Sequence, residues 1–444
     1  MTPELVSIVA LVALFVVGSL LPINMGVLGF IAAWLVGMYS LDLTEKEIIG
    51  GISGDLVLTL VGVTYLFAIA RNNGTVDLIV RAAVRAVGGR TALIPWVMFA
   101  LTAVLTSIGA ASPAACAIVG PIALGFAGRY RISPLMMGML VVHGAQAGGF
   151  SPISIYGVIT NSVMAENNLP VGEMTVFLTS LLFNTAIAIV LFLALGGRRL
   201  VSQRIIADEA DDPDPAGGAP GSGSTDPRGG VATRTDGDTV VTPQRFADQV
   251  ITLVAFGLVA VVALAFERNI GFTAITAAAI LTALFPKEQK GAIKQIAWPT
   301  VLLVAGVSTY AAVLSAAGAP EAIGTWAAGL GTILIGALVL CYVGGVTSAF
   351  ASSTALLPII VPIAIPLIAA GDVSAVAVVA ALAVSSTIVD VSPFSTNGAI
   401  MVANRPDTIA EETYYKQVLR YSVVVVVLGP LLVWAAIVVP GGIF

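Results

Sequence analysis

Apolar stretches of roughly helical length, separated by short polar ones, run along the whole chain. Stretches such as Leu5 to Leu21, Ile251 to Phe266 and Val423 to Val439 are long enough to cross a hydrocarbon core of roughly 30 Å as helices. No cleavable signal pattern precedes the first of them, so it is read as a span. One long hydrophilic segment, 197–248, interrupts the pattern. Its centre, ADEADDPDPAGGAPGSGSTDPRGG, is rich in Asp, Pro, Gly and Ser and predicts a disordered linker. It separates 1–196 from 249–444, two halves of similar length, which prompts a search for an internal repeat.

The halves match. A shift of 241 residues places Thr106-Ser107 on Thr347-Ser348, Ser112 on Ser353, Pro121-Ile122-Ala123 on Pro362-Ile363-Ala364, and Ser133 on Ser374. The same shift places Ser151-Pro152-Ile153-Ser154 on Ser392-Pro393-Phe394-Ser395, and Gly157 on Gly398. Slightly larger offsets pair Asn24 and Gly26 with Asn269 and Gly271, Gly62-Val63 with Gly306-Val307, and Gly74 with Gly318. Coincidences among Ala, Val and Ile are cheap in so apolar a chain; Pro, Ser, Thr and Gly in constant register are not.

Each half reads as three spans, an apolar hairpin, a broken span and a last span. In the first these lie near 5–22, 25–41, 55–71, 92–128, 134–165 and 173–196. In the second they lie near 249–266, 270–285, 299–315, 331–370, 373–404 and 418–439. A hairpin that enters and leaves on one side adds no crossing, so each half crosses five times and the second half is inverted. The predicted fold is an all-α polytopic membrane protein. It consists of two inverted repeats, each of five transmembrane spans plus one re-entrant helical hairpin.

Composition agrees: 58% of residues are hydrophobic and 10% charged, with mean hydropathy +1.00. The net charge of −5 decides little, because orientation follows Lys and Arg rather than net charge. With the linker inside, 18 of the 20 Lys and Arg residues are cytoplasmic and only Lys46 and Arg268 lie outside. Both termini are then outside, the first hairpin enters from the cytoplasm and the second from outside. Cys116 and Cys341 fall in apolar segments, so no disulfide framework is indicated. One His and no Cys/His cluster argue against a metal enzyme, and no phosphate-binding Gly-Lys-Ser/Thr loop points to ATP. No Ser/Lys dyad or paired intramembrane Asp suggests an enzyme, and no nucleic-acid partner or organic cofactor is expected.

Chemistry concentrates at the breaks GGFSPISIYG and VDVSPFSTNG. Pro152 and Pro393 remove a backbone donor and free carbonyl oxygens. Non-helical backbone at membrane depth is tolerated only when buried in protein or lining a wet cavity. The half-helices that follow present N–H groups and a positive dipole end, suited to an anion. The hairpin tips, 106–113 and 347–354, are small and hydroxyl-rich. Two opposed hairpins and two broken helices near the midplane are the expected geometry of an inverted-repeat carrier site. Candidate substrate ligands are Ser112, Ser151, Ser154, Ser353, Thr354, Ser392, Ser395 and Asn397, with Thr396, Tyr156 and Asn161 of lower rank. Candidate cation ligands are Thr106, Ser107, Gly148, Thr347, Ser348, Ser352 and Asp390. The Asp390 carboxylate reads either as a cation or proton ligand, or as a group capped by hydroxyls or facing an aqueous vestibule. His143 reads as a proton relay or substrate contact, or as a packing histidine.

The tips, the breaks and the hairpin plan resemble the divalent-anion/sodium symporter family of the ion-transporter superfamily. The first half is most similar to bacterial MatC-type malonate/dicarboxylate carriers. The resemblance implies a homodimer in a bacterial inner membrane, working by an elevator mechanism. It further implies a scaffold of 5–90 and 249–330 holding a transport part of 91–196 and 331–444. In the family each tip carries Ser-Asn-Thr for sodium and a substrate carboxylate; here the tips read Ala111-Ser112-Pro113 and Ser352-Ser353-Thr354. Bound Na⁺ is the one non-protein component implied. The expected function is secondary transport of small dicarboxylates coupled to Na⁺ or H⁺. The alternative is cation/proton antiport or metalloid-anion efflux on the same scaffold.

Overall fold

The structure, a computed structural model, describes residues 2–21, 23–88, 90–201, 243–266, 268–286, 289, 291–329, 332–350, 353–369 and 373–441. Ser352, Lys287, Lys290 and the linker centre lie outside the described residues. The first half forms α1 (Pro3–Leu20), α2 (Met25–Ser40), α3 (Glu45–Gly50), α4 (Gly54–Asn72) and α5 (Thr75–Ala86). It continues as α6 (Leu93–Ser107), α7 (Ser112–Arg129), α8 (Pro134–Gly148), α9 (Ile155–Glu166), α10 (Glu173–Ala194) and α11 (Gly197–Leu200). The second forms α12 (Pro243–Ala265), α13 (Ile270–Leu284), α14 (Trp298–Ala316), α15 (Ala319–Ala328) and α16 (Ile333–Phe350). It ends with α17 (Ser353–Ala369), α18 (Ala375–Ile388), α19 (Thr396–Ala403) and α20 (Glu411–Gly441). Among the described residues the regular structure is helical throughout. Six of these helices are long and apolar enough to cross a membrane.

The matched positions do the same local work in both halves. Asn24 and Asn269 cap α2 and α13 through their side-chain oxygens, and Ser133 and Ser374 cap α8 and α18. Gly74 and Gly318 take φ of +77° and +75°, a left-handed turn that only glycine adopts cheaply, between α4 and α5 and between α14 and α15. The helices after those turns were not anticipated. In α5 the side chains of Val76, Ile79, Val80, Ala83 and Val84 pack inward while Arg81 and Arg85 stay exposed. This is an amphipathic connector. The segment 197–248 is also shorter as a linker than its composition predicts, since α11 and the start of α12 are helical.

Two sets of helices build the body. In one, α2 crosses α14 and α4 crosses α13. A Cβ on Gly29 would stand 2.7 Å from the backbone of Gly306, and one on Gly62 would stand 2.7 Å from the Gly271 carbonyl. Only glycine lets these axes approach so closely. In the other set α6, α8 and α10 pack with α16, α18 and α20. Every residue from Met136 to Gly148 and from Val378 to Ile388 is buried, so these stretches of α8 and α18 are enclosed by protein on all sides, polar His143 and Gln146 included. Exposed apolar side chains, such as Val12, Leu182, Leu258 and Val427, line α1, α10, α12 and α20, and others lie on α2, α13 and α16, making an apolar exterior suited to lipid.

Candidate functional site

Each broken helix is rebuilt by its own serines. The Ser154 hydroxyl accepts from the Gly157 N–H and donates to the Ser151 carbonyl at 2.7 Å, with the Gly149 carbonyl also in reach. Ser395 repeats this, accepting from the Gly398 N–H and donating to the Ser392 carbonyl at 2.7 Å. Gly157 and Gly398 have no room for a Cβ, which would run into the carbonyls of Ser151 and Ser392. The Ser151 hydroxyl donates to the Ser107 carbonyl (2.7 Å) and the Ser392 hydroxyl to the Ala349 carbonyl (3.0 Å). Each break is thereby tied to the tip of its own hairpin, and these four hydroxyls are engaged by backbone.

At the first tip, Thr106 and Ser107 donate to the carbonyls of Thr102 and Val104, at 3.0 and 2.9 Å. Gly148 packs so tightly on Ala103 and Thr106 that no side chain fits there. At the second, the Ser348 and Ser353 hydroxyls meet at 2.7 Å, and Ser353 also reaches the Ser386 carbonyl at 3.2 Å. Thr347 is half-buried on α16.

A cavity of about 480 Å³ lies between the two helix sets. One wall carries Ser112, Pro113 and Ala114 at the start of α7, Ile155 and Tyr156 at the start of α9, Thr354 of α17 and Thr396 of α19. The facing wall carries Asn24, the cap of α2, with Pro299 and Thr300 in the first turn of α14. Six helices therefore begin at this cavity, and their unpaired N–H groups and dipole ends make it a place for negative charge. Among the described residues no lysine or arginine lines it. Tyr156 of the first break and Ser112 of the first tip thus share this lining. Of the candidate substrate ligands, Ser112 and Thr354 line the cavity, with Thr396 and Tyr156 beside them. Asn24 and Thr300 were not foreseen as site residues. A hollow of about 500 Å³ between α12 and α13 is lined by Val254, Leu258, Phe272 and Ile280 and has no comparable polar set.

Behind this wall lies Asp390, 7% exposed. Its Oδ2 accepts from the Asn397 Nδ2 at 2.9 Å and faces the Gln146 Nε2 at 3.5 Å. The same Asn397 nitrogen donates to the Ser112 Oγ at 2.9 Å. Asn397 thus spans from the carboxylate of the second break to the cavity wall of the first hairpin. Among the described residues Asp390 joins no ion pair; the salt bridges Arg405–Glu411 and Lys416–Glu412 lie elsewhere. The Oδ1 of Asn397 and the Oε1 of Gln146 are buried without partners.

His143 is held on both sides. Asn184 donates its Nδ2 to the Ser180 carbonyl (2.9 Å), so its Oδ1 accepts from the His143 Nδ1–H at 2.8 Å. The His143 Nε2 then accepts from the Tyr421 hydroxyl at 2.6 Å. Both ring nitrogens are satisfied in the neutral form, and His143 lies away from the cavity lining. Asn161 is buried on α9 with neither end of its amide partnered. Where α4 meets α9, the Ser53 hydroxyl bonds to Glu166, and Ser162 donates to Asp55 at 3.2 Å. Asn269 also bonds to Asp55.

Residues 1–149 match the family model described as the N-terminus of the dicarboxylate carrier protein MatC. Among solved structures, the chain is similar to the YdaH transporter of Alcanivorax borkumensis, with 13% identity and a TM-score of 0.56. That likeness covers 90% of this chain and 88% of the other, and it is one of fold. No curated protein sequence matches this chain. Over its first 149 residues the chain is similar to the MatC dicarboxylate carrier, and along most of its length it shares the fold of a transporter structure.

Proposed function

We propose that this protein is a secondary carrier of small organic dianions, of the malonate and C4-dicarboxylate class, coupled to a cation. The observation that carries this reading is the meeting of six helix N-termini at one cavity whose polar lining is hydroxyl and amide. Such a lining binds anions through N–H and O–H donors without a fixed counter-charge, so the anion is not trapped and can leave. The match of residues 1–149 to a dicarboxylate carrier model supports the substrate class.

Transport follows from the two helix sets. The crossed set (α1–α5 and α12–α15) is the scaffold, and the hairpins, broken helices and last spans move against it as an elevator. The cavity lies on the boundary between them, as a carried site must. Two inverted repeats are supported by the glycine crossings. If Gly26 corresponds to Gly271 and Gly62 to Gly306, then the Gly26–Gly306 contact maps onto the Gly271–Gly62 contact, and both occur. The linker side is cytoplasmic in this reading, in keeping with the exposed Arg81 and Arg85 of α5. Its counterpart α15 instead bears an exposed Trp326 and no Lys or Arg. The cavity then opens inward past Asn24 and Pro299, and the Ser53–Glu166 and Asp55–Ser162 contacts close the outer side. A homodimer in a bacterial inner membrane is the assembly we expect.

Uptake of labelled malonate and succinate into proteoliposomes, under an imposed Na⁺ or pH gradient, tests this reading. Uptake under neither gradient would sink it. A second reading, cation/proton antiport or metalloid-anion efflux, is favoured by a single observation, the buried Asp390 without an ion-pair partner. Proton movement driven by Na⁺ alone would select antiport.

A further inference from the structure

We infer that Asp390, Asn397, Gln146 and Ser112 form a site for one monovalent hard cation, shared between the two halves and placed behind the cavity wall. A lone carboxylate at membrane depth is unfavourable even on insertion scales, and it needs a compensating group. The partners of Asp390 are the amides of Asn397 and Gln146, and among the described residues no basic side chain forms an ion pair with it. The other titratable groups set against it are the Tyr156 phenol and the Cys116 thiol, neither of them cationic.

The two amides that reach Asp390 are the two whose oxygens are orphaned. Asn397 Oδ1 and Gln146 Oε1 are buried without partners, in residues that are fully buried. A buried amide oxygen normally finds a donor or a cation. Turning either amide end for end keeps its volume and brings its oxygen to the place its nitrogen now holds, beside Asp390 Oδ2. The Asn397 end also meets Ser112 Oγ at 2.9 Å. With both turned, the Asn397 oxygen stands between the Asp390 carboxylate and the Ser112 hydroxyl, and the Gln146 oxygen stands beside the carboxylate.

That donor set selects the ion. Oxygen ligands without thiolate or imidazole suit a hard cation. A single carboxylate balances one positive charge, whereas Ca²⁺ or Mg²⁺ would leave a buried net charge and ordinarily takes more ligands or retained water. Among the described residues no cluster of three His, Cys, Asp or Glu offers a multivalent site. Gln146 and Ser112 come from the first half and Asp390 and Asn397 from the second, so the ion would pin the first hairpin to the second break. Through Ser112 it reaches the cavity. Under the carrier reading, on which this role rests, it is the coupling ion and Asn397 is the residue that transmits its presence.

The test uses the full-length protein in detergent with no organic anion present, so it stands whether or not dicarboxylates are the cargo. Thermal unfolding is followed while NaCl, LiCl or KCl replaces choline chloride at constant ionic strength, with MgCl₂ as a divalent control. Wild type should show a saturable rise in Tm with at least one monovalent cation and none with Mg²⁺, since a ligand that binds only the folded state stabilises it by mass action. Asp390→Asn should lose the response. Asn397→Ala and Gln146→Ala should raise the half-saturating concentration at least tenfold, and they carry the test if Asp390→Asn does not fold. No saturable monovalent response in wild type, stabilisation by acid alone, or an undiminished response in these variants would overturn the inference.

Discussion

Gly306 of α14 meets the backbone of Gly26 of α2 with no space for a Cβ, and Gly62 and Gly271 repeat the contact between α4 and α13. This doubled crossing fixes the wall against which the rest of the protein packs. Replacing Gly306 by Val inserts three carbons against backbone that cannot turn aside. Overpacking typically costs 1–3 kcal/mol, so a loss of at least about 2 kcal/mol is expected. Gly257 of α12 has nothing within 4 Å of a built Cβ, and Gly257→Ala should stabilise by about 0.5–1 kcal/mol. Thermal unfolding of the two variants checks the contrast; equal effects would mean that the crossing is not tight.

The serines separate into cavity and cap. Thr354→Ala removes a hydroxyl from the cavity lining and should raise the KM for dianion uptake several-fold with little change in Tm, whereas Ser112→Ala should raise KM and also lower Tm, because Ser112 Oγ accepts from the buried Asn397 Nδ2. Ser154→Ala and Ser395→Ala remove N-caps of α9 and α19 and should destabilise by about 1 kcal/mol each. Measuring KM and Tm on the four variants tells whether the breaks bind the anion directly or only shape its site.

Much of this was readable in the chain. Caps and left-handed turns depend on one residue and its near neighbours, so the register that matched Ser133 with Ser374, Asn24 with Asn269 and Gly74 with Gly318 found elements with the same local role. The helix α5 is legible too, through its apolar positions at helical spacing, Val76, Ile79, Val80, Ala83 and Val84, although its length falls short of a span. Asn24 and Thr300 were out of reach. They face Ser112 only because α2 and α14 cross, and nothing near Asn24 in the chain signals a partner 275 residues away. The hydroxyls of Ser151 and Ser392 sit at the breaks as expected, yet they bond to hairpin carbonyls that the fold brings closer than the cavity.

On the far side of the boundary, Asp55 and Glu166 hold α4 to α9. If these contacts close the outer face, Ser53→Ala combined with Asp55→Ala should favour the opposite state. Losing two exposed hydrogen bonds worth about 0.5–1.5 kcal/mol each shifts the population by roughly five- to 150-fold. A cysteine at Thr300, labelled from the linker side, should then react correspondingly more slowly. An unchanged rate would show that the contacts do not select a state.

His143→Ala leaves Asn184 Oδ1 and the Tyr421 hydroxyl buried and unpaired. The expected loss is about 1–3 kcal/mol for each orphaned group, seen as a lower Tm, with the pH profile of uptake unchanged. A shifted profile would make the imidazole a proton carrier instead of a brace between α8, α10 and α20.

The most direct test of the central claim is dianion uptake by the reconstituted wild-type protein, set beside Ser112→Ala and Thr396→Ala. Saturable malonate or succinate uptake under a Na⁺ or pH gradient, with KM raised in both variants, is the predicted result. Wild-type liposomes that take up neither anion under either gradient, or variants whose KM is unmoved, would contradict the assignment of this cavity as the carried site.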